Sequence, residues 1–557
     1  MKKKKNPTST VHYFNCIFLA SYRPFLWIII AGFLIFGKTV SFLYVYFDDN
    51  VFILNHAHFI THSSSLLKSF TTDIFQQYDT FYYRPIFSVS LVLNGLIGGT
   101  SPAVFHLSNV LLHCICGCLV LVLLKKLSVP PLPSFILAIL FTILPVQSQA
   151  VAWIPGRNDT LLGVFIFSTF IFFVTYIKSG RVLHLVLSIL FFGPALFSKE
   201  TAVAVMLLAP LFCALESDYR NKKTISRMIF CEAGWGALFI LWFLLRSKFL
   251  TDHYTVTIHD SALSVLQGMP VIIQYLGKIF FPFNLSVLPL LADTTYRFGI
   301  IALILLILLI YRSPQKNTGF LIFGSAWFLL FLLPSFLSID PQNLVAYYRE
   351  DRLYVPVVGI LIFLAGLSRP FSRHQQKRMF YTGIGTVIFI FALITFAHLD
   401  AFKNRYTFWQ QAIKTSPHAA LAHKNYGSIL HHDNRLDEAF VQYDIALKLN
   451  PKEIIAHYNK GLIYLMRNRF DKARLELEEE LKINPNYDEA NFTMGSVCFN
   501  NKEYDKAEFY WQKTLKVNPR YKDAYSNLAI LYLNQGDTTS AMQYLEYYKN
   551  PAGRRKR

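Results

Sequence analysis

Long apolar runs alternate with short polar segments through the first 400 residues, and a finer mixture of apolar and polar positions follows. A helix needs about 20 apolar residues to cross a bilayer, so runs near that length predict transmembrane helices. About eleven spans are predicted, at roughly 25–47, 103–124, 132–150, 160–177, 182–197, 201–215, 226–246, 298–311, 319–337, 353–367 and 379–398. Two further apolar pieces, at 85–98 and 266–291, contain Gly, Pro and Asn; we interpret them as re-entrant or interfacial helices, with full crossings as the alternative.

The last part of the chain repeats with a period of 34 residues. Small residues recur where two antiparallel helices would touch, and a proline recurs where a helix pair would end. The repeated positions are Pro417, Pro451, Pro485 and Pro519; Gly427, Gly461, Gly495 and Ala529; Ala439, Ala473, Ala507 and Ala541; and the bulky Tyr443, Leu477, Trp511 and Leu545. This pattern is typical of tetratricopeptide repeats, whose stacked helix pairs form a superhelix that binds peptides or proteins.

Together the two patterns predict an all-α chain with two main parts. Residues 1–400 are expected to form a polytopic membrane domain whose first outer loop covers 48–102. Residues 401–550 are expected to form the repeats, and 551–557 a basic tail. The predicted repeat units lie near 420–453, 454–487, 488–521 and 522–550, after a half unit at 404–417 that contains Trp409 and Ala412.

Composition agrees with a membrane protein. Hydrophobic residues make up 53% of the chain and charged residues 16%, whereas soluble domains carry about 25% charged residues. The net charge is +20, and much of the basic excess lies beside apolar segments, where the positive-inside rule explains it better than nucleic-acid binding does. The sequence shows no nucleic-acid-binding signature. Basic clusters follow the even-numbered spans, and Lys2 to Lys5 precede the first span. Because basic residues favour the cytoplasmic side, this pattern predicts a cytoplasmic N-terminus and, after eleven spans, extracytoplasmic repeats. The seven cysteines are scattered and give no disulfide framework or metal spacing.

Two adjacent carboxylates, Asp48 and Asp49, stand where the first apolar run meets water. Charged groups so close to hydrocarbon are costly and therefore suggest a function. Transfer of a sugar would need a carboxylate to accept the acceptor's proton and cations to hold the departing phosphate. The outer segments supply these cations, as Arg84, Arg157, Lys199, Arg349 and Arg352. For any one of these charged residues, a local ion pair or a role in fixing the topology is an equally good explanation. Because two carboxylates are adjacent, a bound divalent cation is also possible.

Other polar residues are grouped in the same outer region. His106, Asn109 and His113 recur at helical spacing and would place one polar stripe inside the membrane domain. His106, nearest the outer face, is the best site candidate of the three, whereas hydrogen bonds between helices are the better explanation for Asn109 and His113. Arg157 with Asp159, and Lys199 with Glu200, are two further pairs at equal depth, and we expect Asn109, Asp159 and Glu200 to support the site.

The order of these motifs resembles the transmembrane and tetratricopeptide repeat-containing family. The resemblance runs from Asp48-Asp49 through Tyr83-Arg84-Pro85, the stripe from His106 to His113, Pro145-Val146, Gly156-Arg157-Asn158-Asp159, Ser198-Lys199-Glu200 and Tyr354-Val355-Pro356 to Trp409 and the repeats. Gln147 and Gln149 depart from it, because relatives often carry His and Glu around the Pro-Val motif.

The resemblance implies a glycosyltransferase of GT-C architecture that uses a polyprenyl-phosphate sugar. It gives Asp48 or Asp49 the catalytic role, and it implies that the donor phosphate is bound by residues among Arg84, Arg157, Lys199 and Arg352. Two further candidates for the phosphate site, His106 and Arg349, come from the sequence pattern and not from the resemblance. The expected partners are a polyprenyl-phosphate-linked mannose or other hexose, an extracytoplasmic protein or peptide acceptor recruited by the repeats, and membrane lipids. The membrane would be a bacterial inner membrane facing the periplasm, or that of the endoplasmic reticulum. A non-catalytic scaffold for envelope proteins is the alternative.

Overall fold

The computed structural model describes residues 18–74, 82–215, 221–250, 258–336, 347–367 and 374–549. Regular structure within these ranges is helical, apart from an isolated antiparallel bridge between Leu290 and Tyr347. The all-α prediction is therefore confirmed. Lys2 to Lys5 and the basic tail at 551–557 lie outside the described residues.

The chain divides into two compact units, residues 1–417 and 418–557. The first unit contains the apolar helices and a set of short helical turns between them. Its α-helices are Arg23–Phe36, Ala57–Ile60, Ser65–Lys68, Pro85–Gly98, Pro102–Lys126, Pro131–Ile143, Ser148–Ala152, Arg157–Ser179, Val182–Ser198, Ala204–Leu215, Lys222–Phe249, Ile258–Phe280, Arg297–Arg312, Thr318–Leu332, Val357–Ala365, His374–His398 and Arg405–Thr415. Its 3-10 turns are Gly37–Ser41, Pro145–Gln147, Ile154–Gly156, Glu200–Val203, Leu333–Phe336, Glu350–Leu353 and Leu399–Phe402, and Asn50–Leu54 is a π-helical turn.

Six helices in the described ranges are long and apolar enough to cross a membrane, or seven if one bent pair counts as a span. They are Arg23–Ser41, Pro102–Lys126, Ile154–Ser179, Lys222–Phe249, Thr318–Phe336 and Met379–Phe402, and the bent pair is Pro131–Ile143 with Pro145–Ala152. The predicted count of eleven is thus not confirmed. Several apolar runs form helices of 17 residues or fewer, which fall short of the length that a straight crossing needs.

The first apolar run ends as a helix earlier than its sequence suggests. The helix Arg23–Phe36 continues only as the 3-10 turn Gly37–Ser41, and the chain is extended from Phe42 onward. Tyr46 and Asp48 have positive φ angles of 59° and 66°, which a helix cannot accommodate. The last six residues of the run therefore form a loop that leads into the two carboxylates.

The core of the first unit lies around the helix Ile154–Ser179, because 78% of the most apolar 18-residue stretch of this helix is buried. By contrast, only 6% and 17% of the corresponding stretches are buried in Met379–Phe402 and Lys222–Phe249, as expected for helices that face lipid. Elsewhere small residues let helices approach closely: a Cβ added to Gly324 would lie 2.5 Å from the carbonyl oxygen of Gly359.

The second unit consists of four antiparallel helix pairs. The helices are Ala420–His432, Leu436–Leu449, Ala456–Met466, Phe470–Ile483, Asp488–Asn500, Tyr504–Val517, Lys522–Asn534 and Thr538–Lys549. The repeated alanines of the second helices are fully buried. A Cβ on Gly495 would lie 2.6 Å from Trp511, so the recurrent glycine makes room for the recurrent bulky residue. In the last pair this core is open, because Leu545 is 42% exposed.

Candidate active site

The loop that carries the two carboxylates is held by hydrogen bonds to its backbone. The indole of Trp153 donates to the carbonyl oxygen of Phe47 at 2.7 Å, and the indole of Trp409 donates to that of Val45 at 3.1 Å. The ring of Phe47 also packs against both indoles. Trp409 belongs to the predicted half repeat, so that segment supports the acidic loop directly.

The two carboxylates have different surroundings. Asp49 is 1% exposed, and its oxygens accept the backbone N–H groups of Val45, Phe47 and Asn50 at 2.7, 3.1 and 2.9 Å. Burial raises the pKa of Asp49 to about 7, although these three hydrogen bonds lower it. Asp49 is therefore a buried side chain that stabilises the conformation of the loop through its backbone N–H groups.

Asp48 is partly exposed and lines a cavity of about 260 Å³. Burial raises the pKa of this carboxyl above its usual value, Arg349 opposes the shift, and Asp351 adds to it. A carboxylate that is held near a guanidinium and has a raised pKa is suited to accept a proton. The positive φ of Asp48 turns the chain sharply at this point.

The cavity brings together segments that are far apart in the sequence. Charged and polar groups make up much of its wall, beside aromatic and proline side chains. The lining residues are Asp48, Phe52, Ile74, Tyr82, Arg84, Trp153, Pro155, Asn158, Asp159, Lys199, Glu200, Thr201, Pro334, Ser335, Arg349, Asp351 and Arg352. Seven of the eleven predicted site residues are among them: Asp48, Arg84, Asp159, Lys199, Glu200, Arg349 and Arg352.

Three ion pairs fix cations in this wall. Arg84 forms a two-pronged contact with Glu200, with Nη2–Oε1 at 2.6 Å and Nε–Oε2 at 3.1 Å. Lys199 Nζ lies 2.7 Å from Asp159 Oδ1. Each of these two pairs connects two segments of the cavity wall that are far apart in the sequence. Arg84 and Lys199 have more N–H groups than these ion pairs use.

The third pair belongs to the segment before Tyr354. Arg349 Nε lies 3.3 Å from Asp351 Oδ1, and its guanidinium covers the ring of Trp153 at 4.7 Å from the centroid. Asp351 and Asp48 raise the pKa of Arg349 beyond its already high value, against the lowering effect of burial. The guanidinium of Arg352 donates to the carbonyl oxygen of Ser335 at 2.9 Å.

Four predicted site residues lie outside the cavity wall. Besides Asp49, these are His106, Asn109 and Arg157. Arg157 is 1% exposed and donates to the Asn109 side chain at 2.7 Å and to the carbonyl oxygens of Phe105 and Ser90 at 2.6 and 3.3 Å. Asn109 in turn donates to carbonyl oxygens at 151, 153 and 154, and His106 packs edge-on against Phe42.

Other residues of the cavity wall are not among the eleven predicted site residues, although Asp351 belongs to the charged cluster from Arg349 to Arg352 that the sequence shows. Asp351 lines the cavity next to Arg349, and Trp153 and Tyr82 supply aromatic surface. The aromatic residues carried no signal, because Trp and Tyr are common at membrane interfaces for other reasons. No group of three or more His, Cys, Asp or Glu side chains in the described part of the chain is arranged to hold a metal ion.

Comparison with known proteins connects both units to proteins of related sequence. Tetratricopeptide repeat models match residues 408–444, 454–487 and 510–543. The chain is 32% identical over 129 residues to "Protein O-mannosyl-transferase Tmtc1" of Drosophila melanogaster, which covers 23% of this chain and 15% of the relative. It is 24% identical to "Protein O-mannosyl-transferase TMTC1" of Homo sapiens and 22% identical to "Protein O-mannosyl-transferase TMTC3" of Mus musculus, over 65% and 64% of this chain.

The chain spans 15%, 47% and 43% of the length of these three relatives, respectively. Among solved structures, "Crystal structure of MamA" matches with a TM-score of 0.24 and 21% identity over 27% of this chain and 86% of that one. The resemblance to the transmembrane and tetratricopeptide repeat-containing family is confirmed by the repeats and the named relatives. With the long apolar helices, it supports a multi-pass membrane protein.

Proposed function

We propose that the protein is a membrane glycosyltransferase that moves mannose or another hexose from a polyprenyl-phosphate donor to an extracytoplasmic hydroxyl of a protein or peptide. The observation that carries the proposal is the position of Asp48 in one cavity with four cations, Arg84, Lys199, Arg349 and Arg352. A non-catalytic scaffold has no use for this arrangement. The names of the relatives support the same reaction class.

The cations would hold the donor phosphate. A sugar-linked phosphodiester carries one negative charge, and departure of the lipid phosphate adds a second, so the cations bind the leaving group more strongly as the reaction proceeds. Guanidinium groups suit this task because their rigid donors match phosphate oxygens. Arg84 and Arg349 are in place before the donor arrives, since Glu200 and Asp351 orient them.

Asp48 would act on the acceptor. The acceptor oxygen forms a bond to the anomeric carbon, the bond from that carbon to the phosphate oxygen breaks, and the hydroxyl proton passes to the Asp48 carboxylate. The leaving polyprenyl phosphate keeps the electron pair. The raised pKa of Asp48 favours proton uptake. Asp49 and Arg157 would support the site by holding its backbone, through the hydrogen bonds described above.

The cavity would open on the extracytoplasmic side. Asp159 lies at the cavity near the start of the helix Ile154–Ser179, and Lys178 lies at the opposite end. Lys178 donates to the carbonyl oxygen of Lys126, the last residue of a neighbouring long helix. Because lysines favour the cytoplasmic side, the far end of both helices would be extracytoplasmic. Cysteines introduced at the exposed residues Ser101 and Ser128, next to the two ends of the helix Pro102–Lys126, test this orientation: a membrane-impermeant maleimide applied to the extracytoplasmic side should label only the cysteine at Ser101.

The repeats would recruit the acceptor. Tetratricopeptide superhelices bind peptides or proteins in general, and the repeat models match in this chain. The orientation predicted from the basic loops would place them in the periplasm or in the lumen of the endoplasmic reticulum.

The test of function is transfer of label. Purified membranes that contain the protein are incubated with a series of radiolabelled polyprenyl-phosphate sugars, and the molecule that acquires label is identified. We expect labelling of a protein or peptide with one of these donors and its loss in Asp48→Asn. If no sugar is transferred, or if Asp48→Asn transfers as well as the wild type, the scaffold is favoured.

A further inference from the structure

A buried ion pair lies directly behind the cavity wall. Glu350 stands between Arg349 and Asp351, which both line the cavity, but its own side chain points away from it and is fully buried. Glu350 Oε1 accepts a hydrogen bond from Lys278 Nζ at 2.7 Å and another from the backbone N–H of Ser286 at 2.8 Å. The Lys278 side chain is 1% exposed.

The backbone of the same segment is held on both sides. Gln149 accepts the N–H of Glu350 at 3.0 Å and donates to the carbonyl oxygen of Val287 at 2.9 Å. The hydroxyl of Tyr275, on the same helix as Lys278, donates to the carbonyl oxygen of Arg349 at 3.0 Å. Two consecutive residues of the cavity segment are thus tied to a helix and a loop that do not themselves reach the cavity.

Stability alone does not account for this pair. Removing two charges from water is costly, and well-packed hydrophobic side chains in place of a buried ion pair are often neutral or stabilising. A buried ion pair does supply directional contacts that hold one geometry, whereas apolar packing tolerates small shifts. Because the guanidinium of Arg349 must meet both Asp351 and the ring of Trp153, a small shift of the segment would disturb both contacts.

We infer that Lys278 and Glu350 form a positioning pair, which fixes Arg349 and Asp351 at the cavity and thereby sets the affinity for the phosphate of the donor. This inference rests on the proposed function. Gln149 belongs to the same arrangement through the backbone of Glu350. Lys278, Glu350 and Gln149 touch no substrate and act only through the residues that they place.

The test replaces the charges but keeps the packing. In the 557-residue chain, K278M/E350L is expected to melt close to the wild-type temperature, because the apolar packing that replaces the two charges offsets the loss of the acceptor for the Ser286 N–H. The KM for the polyprenyl-phosphate sugar should rise about tenfold, the equivalent of one charge-assisted hydrogen bond to phosphate. E350Q, which keeps the shape of Glu350, serves as a second variant if the double variant does not fold. The control is K38Q/D400N, which removes an ion pair of 2.9 Å from outside the cavity wall and should leave KM unchanged.

A second measurement does not depend on activity. The emission spectrum of the wild type minus that of Trp153→Phe gives the contribution of the indole that lies under Arg349. The same subtraction is made for K278M/E350L and for E350Q, each with and without Trp153→Phe. We expect this difference spectrum to change in both backgrounds and to stay the same in K38Q/D400N. A wild-type spectrum and a wild-type KM in a folded E350Q or K278M/E350L would overturn the inference. If the wild type transfers no sugar at all, the proposed function fails, and the emission alone decides whether the pair positions Arg349.

Discussion

The clearest prediction separates the two adjacent aspartates. Asp48→Asn removes the group that we propose as proton acceptor, but it breaks none of the three hydrogen bonds that shape the loop, because Asp49 makes those. General-base catalysis contributes about 10²–10⁴ in rate, which corresponds to about 3–5 kcal/mol in the activation free energy. The rate constant kcat should therefore fall by about this factor while the melting temperature stays close to that of the wild type.

Asp49→Asn should give the opposite result. Its Oδ2 accepts one backbone N–H and its Oδ1 accepts two, so an asparagine must turn an NH₂ group toward at least one of these donors. A buried N–H left without an acceptor costs about 1–3 kcal/mol. We expect a lower melting temperature and less folded protein, with a smaller loss of kcat per folded molecule than in Asp48→Asn.

The assay measures initial rates of sugar transfer and thermal unfolding on the same detergent-purified samples. Asp400→Asn serves as the control, because Asp400 is an exposed carboxylate outside the cavity wall. If Asp48→Asn transfers sugar at the wild-type rate, or if Asp49→Asn is as stable as the wild type but inactive, the roles assigned to the two residues are wrong.

Three further predictions follow from the site and the repeats. Arg349→Gln removes the cation that opposes the raised pKa of Asp48, so the acidic limb of the pH profile of kcat/KM should move to higher pH; an unmoved limb would contradict the assignment. Arg84→Lys loses the two-pronged contact with Glu200, and the KM for the donor should rise about tenfold, whereas an unchanged KM would remove Arg84 from the phosphate site. Gly495→Ala places a Cβ 2.6 Å from a tryptophan side chain, so the repeats should unfold at lower temperature, by about 1–3 kcal/mol in stability, as followed by tryptophan fluorescence.

The sequence predicts the repeats well because their contacts are local. A period of 34 residues places a glycine of one helix against a bulky residue 16 positions later, and the contact between Gly495 and Trp511 is the result. In the last described helix pair, Leu545 stands at the repeat position of Trp511 and is 42% exposed, so the repeat pattern predicts the position but not its burial.

For the site, the sequence predicts which residues lie near the outer ends of the helices, but not where their side chains point. Arg84, Lys199 and Arg349 lie between apolar runs, and the cavity wall includes all three. Arg157 satisfies the same criterion, yet three of the five N–H groups of its buried guanidinium donate to a side-chain oxygen and two backbone oxygens inside the fold. No pattern of spacing distinguishes these two situations, because the partners of Arg157 lie 48 to 67 residues away.

The sequence does not predict that Asp48 lines the cavity whereas Asp49 is buried in the loop, and the reason is a different one. Both follow an apolar run, and a helix continued to Phe47 would present them as equivalent neighbours. The loop that replaces the end of this helix depends on the indoles of Trp153 and Trp409, 106 and 364 residues away from the carbonyl groups that they hold. Once the loop is formed, the positive φ of Asp48 separates the two side chains, one into the cavity and one into the fold.

The charges of the cavity fit a transfer in which one proton and one phosphate move together. Four carboxylates and four cations line the wall, so the wall is neutral when Asp48 is ionised. A bound phosphodiester adds one negative charge, and the lipid phosphate that leaves carries close to two at neutral pH. In the proposed reaction, Asp48 takes up the acceptor's proton at the same step and becomes neutral. The total charge in the cavity therefore stays nearly constant through the transfer, which avoids the cost of building up charge in a poorly solvated place.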